Sequence, residues 1–189
     1  MRLQILTFLC AMVITGTISA QQVHLGVKGG LNLYDLSNSN FDPMLGVHLG
    51  LLGHIHLSQK FALQPELVYS TQGAKFANSD NSLNLAYVNV PILLQYMFDN
   101  GFRIQAGPQL GVLTSAKSVL GDNKVDVKNE FKNIDLGLGF GASYVHPPSG
   151  YGVDARYNLG MTNISENASN DFKNRGFQLG VFYLLGHKH

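Results

Sequence analysis

The sequence predicts an all-β chain that closes into one eight-stranded antiparallel barrel behind an export signal. Three observations predict it. Apolar and polar residues alternate with a period of two along most of the chain. The connections between the alternating stretches are long and short by turns. The first twenty residues are built like a signal peptide, and no later stretch stays apolar for long enough to form a transmembrane helix.

The signal comes first. Arg2 supplies the positive start, Leu3 to Ile14 an almost unbroken apolar run, and Gly16, Thr17, Ser19 and Ala20 the small residues before a cut that leaves Gln21 first. Ile18 stands where a smaller residue is more usual. The run is shorter than the roughly 20 apolar residues of a spanning helix. The single cysteine, Cys10, lies inside it, so the domain expected over 21–189 has no disulfide and no thiolate metal site. Lys and Arg number 13 and Asp and Glu 12, and loss of Arg2 with the signal balances them. That balance, without a basic patch, excludes nucleic acid as a partner.

The strands follow in order. Val23, Leu25, Val27, Leu31 and Leu33 oppose His24, Gly26, Lys28, Gly30 and Asn32. Val47, Leu49, Leu51 and Ile55 oppose His48, Gly50, His54 and His56. Phe61, Leu63, Leu67 and Tyr69 oppose Ala62, Gln64, Glu66 and Ser70. The stretch 84–98 is apolar on both parities, although Asn89 and Gln95 share one. Ile104, Ala106, Leu110 and Val112 oppose Arg103, Gln105, Gly107 and Gln109. Ile134, Leu136, Leu138 and Phe140 oppose Asp135, Gly137, Gly139 and Gly141. Val153, Ala155 and Tyr157 oppose Asp154, Arg156 and Asn158, and Phe177, Leu179 and Val181 oppose Gln178 and Gly180. The strands so read are 23–33, 43–57, 61–73, 84–98, 102–113, 132–145, 151–161 and 174–185.

Residues 34–42, 74–83, 114–131 and 162–173 read as long polar loops. Ser58–Lys60, Asp99–Gly101 and His146–Gly150 read as tight turns. This asymmetry is that of outer-membrane barrels, with short periplasmic turns and longer outer loops, and an even strand count leaves both termini in the periplasm.

In hydrocarbon every backbone group must pair, so the sheet closes with its apolar parity toward lipid. Phe61, Phe98, Phe102, Tyr144, Tyr151 and Tyr183 lie by the short turns, and Tyr69, Tyr87 and Phe177 by the long loops. The separation of Phe61 from Tyr69 corresponds to roughly 20 Å across a tilted strand, which fits two interfacial girdles. The rival is a soluble barrel with an apolar cavity. It fits poorly, because the polar parity is dominated by glycine with charges only at mid-strand, which suits a crowded interior. Pro65, Pro91 and Pro108 fall inside strands, where bulges or register shifts are expected. The reading is therefore an eight-stranded antiparallel transmembrane β-barrel of outer-membrane type.

Four motifs in order carry a resemblance. They are Leu63-Gln64-Pro65-Glu66-Leu67-Val68-Tyr69-Ser70, Tyr87-Val88-Asn89-Val90-Pro91-Ile92-Leu93-Leu94-Gln95-Tyr96, Ala106-Gly107-Pro108-Gln109-Leu110-Gly111 and Asp154-Ala155-Arg156-Tyr157-Asn158. With these the chain resembles the PorT-like porins, a Bacteroidota-type family of outer-membrane barrels, over nearly all of 21–189. The resemblance implies the barrel and its location and makes the strand prolines a family habit, but it implies no known activity. The end departs from the usual aromatic final residue, since Leu185 is followed by Gly186-His187-Lys188-His189.

Three groups of residues are candidates for chemistry. Glu66, Arg103, Asp135, Asp154 and Arg156 share the inward parity and are expected to form a polar network in the lumen. Eight strands enclose little more than side chains, so a salt-bridged plug is preferred to a polar conduit. His24, His54 and His56 gather at the periplasmic end, with His146, His187 and His189 near, but no carboxylate or cysteine completes a metal site. The expectation is no metal and no cofactor. The long loops hold no histidine, and no phosphate loop or nucleophile elbow appears, so no enzyme is expected. Asp80, Asp122, Asp126, Glu130, Glu166 and Asp171 read as solvated loop charges.

The longest loop, 114–131, alternates at Lys124, Val125, Asp126, Val127 and Lys128. That alternation predicts a hairpin continuing above the membrane with strand edges for a partner. The functional expectation is a monomeric barrel set in outer-membrane lipid, with a structural or interaction role and outer loops displayed to envelope proteins. A narrow porin-like channel for small solutes or ions is the second reading.

Overall fold

A computed structural model describes residues 23–37, 41–77, 79, 81–121, 123–167, 169 and 171–186. The expected signal over 1–20 with Cys10, then Gln21, Asp80, Asp122, His187 and His189, lie outside the described residues. The strands are β1 (Val23–Leu36), β2 (Phe41–His56), β3 (Phe61–Phe76), β4 (Ser82–Met97), β5 (Phe102–Leu120), β6 (Asn123–Asp126), β7 (Ile134–Val145), β8 (Tyr151–Gly160) and β9 (Asn174–Leu184). Each long strand pairs antiparallel with its neighbours, β1 pairs with β9 and β4 with β5, so the ring β1-β2-β3-β4-β5-β7-β8-β9 closes. The eight-stranded barrel is thus present, and the short β6 is added to it, folded back on the end of β5 from Leu120↔Asn123 to Lys117↔Asp126.

Closure sorts the side chains. Along β1 the apolar residues Val23, Leu25, Val27, Leu31 and Leu33 point outward, while Lys28, Asn32 and Tyr34 are buried inside. Leu49 is 70% exposed and Glu66, on the inward parity of β3, 4%. A surface that presents leucine outward and buries lysine and glutamate is built to meet lipid, not water.

The aromatic residues gather at the two ends of this apolar belt. By the short turns, Phe61 lies 5.3 Å from Tyr96, Tyr96 5.0 Å from Phe98 and Phe98 5.7 Å from Phe102 between ring centroids, and Tyr151 lies 4.6 Å from Tyr183. Toward the other end Tyr157 lies between Phe140 and Phe177, 5.4 and 4.8 Å away. Tyr87 corrects the sequence reading: it faces the interior and is buried. The register of β4 on β5 shifts between Ala86 and Tyr87, and the inner face there is apolar.

The expected irregularity at the strand prolines also differs. Register runs unshifted through Pro65, Pro91 and Pro108. Each instead leaves a short gap in one ladder. Pairing between β2 and β3 skips from Leu52↔Glu66 to Ile55↔Leu63, past Pro65. Between β3 and β4 it skips from Pro65↔Ile92 to Val68↔Asn89, past Pro91. Between β4 and β5 it skips from Pro91↔Gln109 to Leu94↔Ala106, past Pro108. A proline removes one N–H but does not add a residue, so it interrupts a ladder without changing its count. The shifts occur where pairing does change count, between Pro43 and His48 and between Ala86 and Tyr87.

The long loops are shorter than the sequence reading made them. β1 runs to Leu36, β3 to Phe76 and β5 to Leu120, so parts of 34–42, 74–83 and 114–131 are strand. At the opposite end the turns are tight, and Gly101 and Gly150 sit at φ +86° and +73°, where a side chain would strain the backbone.

Candidate functional site

The lumen is filled in layers, and its centre is ionic. Inward residues of β1, β3 and β8 bring Lys28, Glu66, Asp154 and Arg156 together. Arg156 donates to Glu66 through both terminal nitrogens, Nη2 to Oε1 at 2.7 Å and Nη1 to Oε2 at 3.0 Å. Lys28 Nζ lies 3.4 Å from Glu66 and 3.2 Å from Asp154. Arg156 Nη2 also lies 3.8 Å from Asp154. Two cations and two anions balance, and each side chain is at most 2% exposed. Buried charges in this number persist only by compensating one another. Gly180 makes room for the cluster: a Cβ there would stand 2.8 Å from Asp154 Oδ1 and 3.0 Å from His48 Nε2.

Three of the five residues expected in the network, Glu66, Asp154 and Arg156, meet here. Arg103 and Asp135 do not. Arg103 lies toward the short turns with Nη1 3.4 Å from His54 Nδ1, and Asp135 toward the long loops, bonded to Thr162 and Asn174. They sit at other heights because inward residues are stacked along the axis by the strand tilt. Lys28, not counted in the expected network, supplies the second cation; its inward parity on β1 was the signal.

Amide layers flank the ionic one. Toward the short turns, Gln95 Nε2 donates to Gln64 Oε1 at 2.9 Å and Gln105 Oε1 at 2.8 Å, and Gln64 Nε2 donates to Glu66 Oε1 at 2.7 Å. Toward the long loops, Asn32 Nδ2 donates to Ser70 Oγ at 2.9 Å, Asn32 Oδ1 accepts from Gln178 Nε2 at 3.1 Å, and His48 Nδ1 lies 2.7 Å from Asn32 Oδ1.

Apolar clusters lie beyond both. Leu52, Val145, Phe182 and Leu184 pack together by the short turns. At the other end Leu36, Leu83, Leu85, Tyr87, Leu113, Phe131 and Ile164 form a larger cap, with Phe41, Phe76, Val127 and Phe172 packed against it. Leu36, Leu83, Phe131 and Ile164 of this cap fall in the stretches expected to be polar loops, where apolar residues are scattered among Asn, Ser, Asp and Lys, whereas Leu85, Tyr87 and Leu113 fall in expected strands. The bridge Phe131↔Ser165 ties the loop after β6 to the loop after β8 over the barrel mouth.

His24 and His54 both stand edge-on to His56, with centroids 5.9 and 4.7 Å apart. The Arg103 guanidinium beside His54 disfavours a cation at that cluster.

The loop residues Lys124, Val125 and Asp126 lie in β6, with Val127 and Lys128 just after it. The hairpin expected there forms, and the strand edge of β6 turned away from β5 pairs with no strand among the described residues. All four residues of β6 are exposed.

A sequence profile described as outer membrane protein beta-barrel domain matches residues 19–166. No curated protein matches the sequence. Among solved structures, the chain is similar to Neisserial surface protein A, with TM-score 0.58 and 14% identity over 85% of this chain and 96% of that one. It is also similar to Ail, the attachment invasion locus protein of Yersinia pestis, in complex with the heparin analogue sucrose octasulfate. There the TM-score is 0.53 and the identity 14%, over 87% of this chain and 99% of that one. At that identity both likenesses speak for the fold alone.

Proposed function

Because the chain belongs to the outer membrane protein beta-barrel domain family, we propose that it serves the cell envelope as a closed, non-conducting barrel that displays its long-loop end to a partner protein. The observation that carries this reading is the filled lumen. A balanced four-charge cluster lies at its centre, and apolar clusters lie at both ends. An ion crossing it would have to break the central pairs and pass apolar side chains at either end.

The proposal extends to orientation and processing. The signal over 1–20 is removed, 21–189 forms the barrel, the short turns and both termini face the periplasm, and the barrel works as a monomer in outer-membrane lipid. On the four sequence motifs it also extends to membership of the PorT-like porins. The partner-contacting element is the β5–β6 hairpin, because β6 offers an open, exposed strand edge for β-augmentation. No catalytic role is assigned. The His146–Ser149 contact of 3.0 Å belongs to a turn whose serine also meets the His146 carbonyl and the Tyr151 N–H.

One observation favours the channel reading instead. His54 Nε2, Gln95 Oε1, Gln105 Nε2, Ser143 Oγ and His48 Nε2 have no protein partner, so polar sites for water line much of the lumen. Planar-bilayer recording decides between the two. The proposal expects no unitary conductance, and steady single-channel steps sink it. For the interaction role, deletion of Val119 to Lys128 is expected to leave a folded barrel and to remove any co-purifying envelope protein. A complex that survives the deletion unchanged counts against the hairpin.

A further inference from the structure

At the short-turn end, a cavity of about 210 Å³ opens between the three turns. Gln59, Asp99 and Pro147 reach its wall from one turn each, and Met97, Arg103 and Val145 from β4, β5 and β7. Arg103 is 5% exposed. Lys28 and Arg156, the buried cations of the lumen centre, each meet carboxylates, but Arg103 enters none of the ion pairs found among the described residues. A guanidinium does not shed its proton in a protein, so this charge stays on the cavity wall.

His54 directs that charge. Arginine only donates, so His54 Nδ1, 3.4 Å from Arg103 Nη1, accepts and draws the guanidinium toward β2. The His54 ring stands edge-on to His56 at 4.7 Å between centroids, and His56 also lines the cavity. The guanidinium and the His56 ring therefore lie within reach of one small molecule. His56 and Gln59 can each offer an N–H there. Met97, Val145 and Pro147 make the neighbouring wall apolar. Asp99 also lines the cavity, exposed in its turn and not paired with Arg103.

These features select a ligand. Water can solvate the guanidinium, but a fixed cation on the wall of a cavity still favours anions over other solutes. The guanidinium fork fits a carboxylate or a phosphate. A phosphate carries more than one negative charge. It would face a single fixed cation, the Asp99 carboxylate, and apolar side chains where it needs donors. A monocarboxylate matches Arg103 one to one, and an apolar body behind it packs on the apolar wall. We infer that this cavity binds a small monocarboxylate with an apolar body, its carboxylate on Arg103 and its apolar part against Met97, Val145 and Pro147. His54 is a positioning residue for Arg103. The site lies at the opposite end of the barrel from the β5–β6 hairpin, so it is independent of the partner proposed there.

Saturation-transfer NMR with butyrate tests this, on the folded full-length barrel in nanodiscs of zwitterionic lipid, with empty nanodiscs as the blank. Butyrate is expected to receive saturation and to reach a plateau as it is titrated. Butyramide, its uncharged counterpart, is expected to give no more than the blank, and inorganic phosphate at equal concentration is expected not to displace butyrate. Arg103→Gln is expected to weaken butyrate binding by about tenfold or more, as loss of a hydrogen bond to a charged group does. The wild-type comparison of butyrate with butyramide stands even if that variant does not fold. No butyrate signal above the blank overturns the site, as does equal binding of butyramide or displacement by phosphate. Equal butyrate binding by a folded Arg103→Gln barrel overturns it as well. So does binding that appears only in Asp99→Asn, since Arg103 would then belong to Asp99.

Discussion

At the scale of single residues, the lumen centre makes the sharpest demands. Glu66 receives both Arg156 nitrogens, Lys28 and Gln64. Glu66→Gln keeps the shape and strands a positive charge, so it is expected to cost about 3–5 kcal/mol, as breaking a buried pair does. Adding Lys28→Met restores neutrality and should recover much of that loss. Urea titration of the barrel in lipid vesicles checks both, and a double variant no better than the single one counts against the pairing. Leu138 tests the opposite face. It is 43% exposed on the belt, and Leu138→Arg is expected to cost about 2–4 kcal/mol near the bilayer midplane. Gly139→Ser should disturb folding less, because a Cβ at Gly139 meets side-chain atoms of Asn158 and Arg156 at 3.0 and 3.2 Å, which can shift. Equal folding of both variants into vesicles would mean that the faces are assigned the wrong way round. Parity alone made the inward placement of Glu66, Asp154 and Arg156 legible. Which inward residues meet was not legible, because contact across the lumen depends on stagger between strands that no single strand encodes; hence Lys28 enters the cluster and Arg103 stays out.

At the scale of elements, the strands were legible and their far ends were not. Each strand residue sees either lipid or lumen, and a two-valued environment writes a period of two. The cap has no such period. Leu36 at the end of β1 and Phe131 and Ile164 in two separate connections meet only after the barrel closes. Phe131→Ala should therefore destabilise by about 3 kcal/mol or more, as loss of a packed aromatic does. It should leave the bilayer electrically silent, since the ionic layer lies beneath. Urea titration reads the first effect and planar-bilayer recording the second. Conductance in this variant would make the cap, not the charges, the barrier. Of the residues in the Val119 to Lys128 deletion only Val127 packs against this cap, whose β5 members Leu113 and Ala116 are kept, which is why the deletion is expected to spare the fold.

At the scale of the whole molecule, a closed sheet resists detergent until it is boiled, so unboiled and boiled samples should migrate differently on a gel. Identical migration would count against closure. The ring is nonetheless uneven. From β5 through β7, β8, β9 and β1 to β2 the ladders run without a gap, whereas the three ladders joining β2 to β5 each lose pairs at a proline. The gaps touch Leu52, Pro65, Pro91 and Leu94, so they run side by side across neighbouring strands. Mechanically the barrel has a stiff arc and a compliant one, and strain from a bending bilayer concentrates in the compliant arc. Amide hydrogens of β3 and β4 should therefore exchange with solvent deuterium sooner than those of β8 and β9, and the wall should first breathe along that line of prolines.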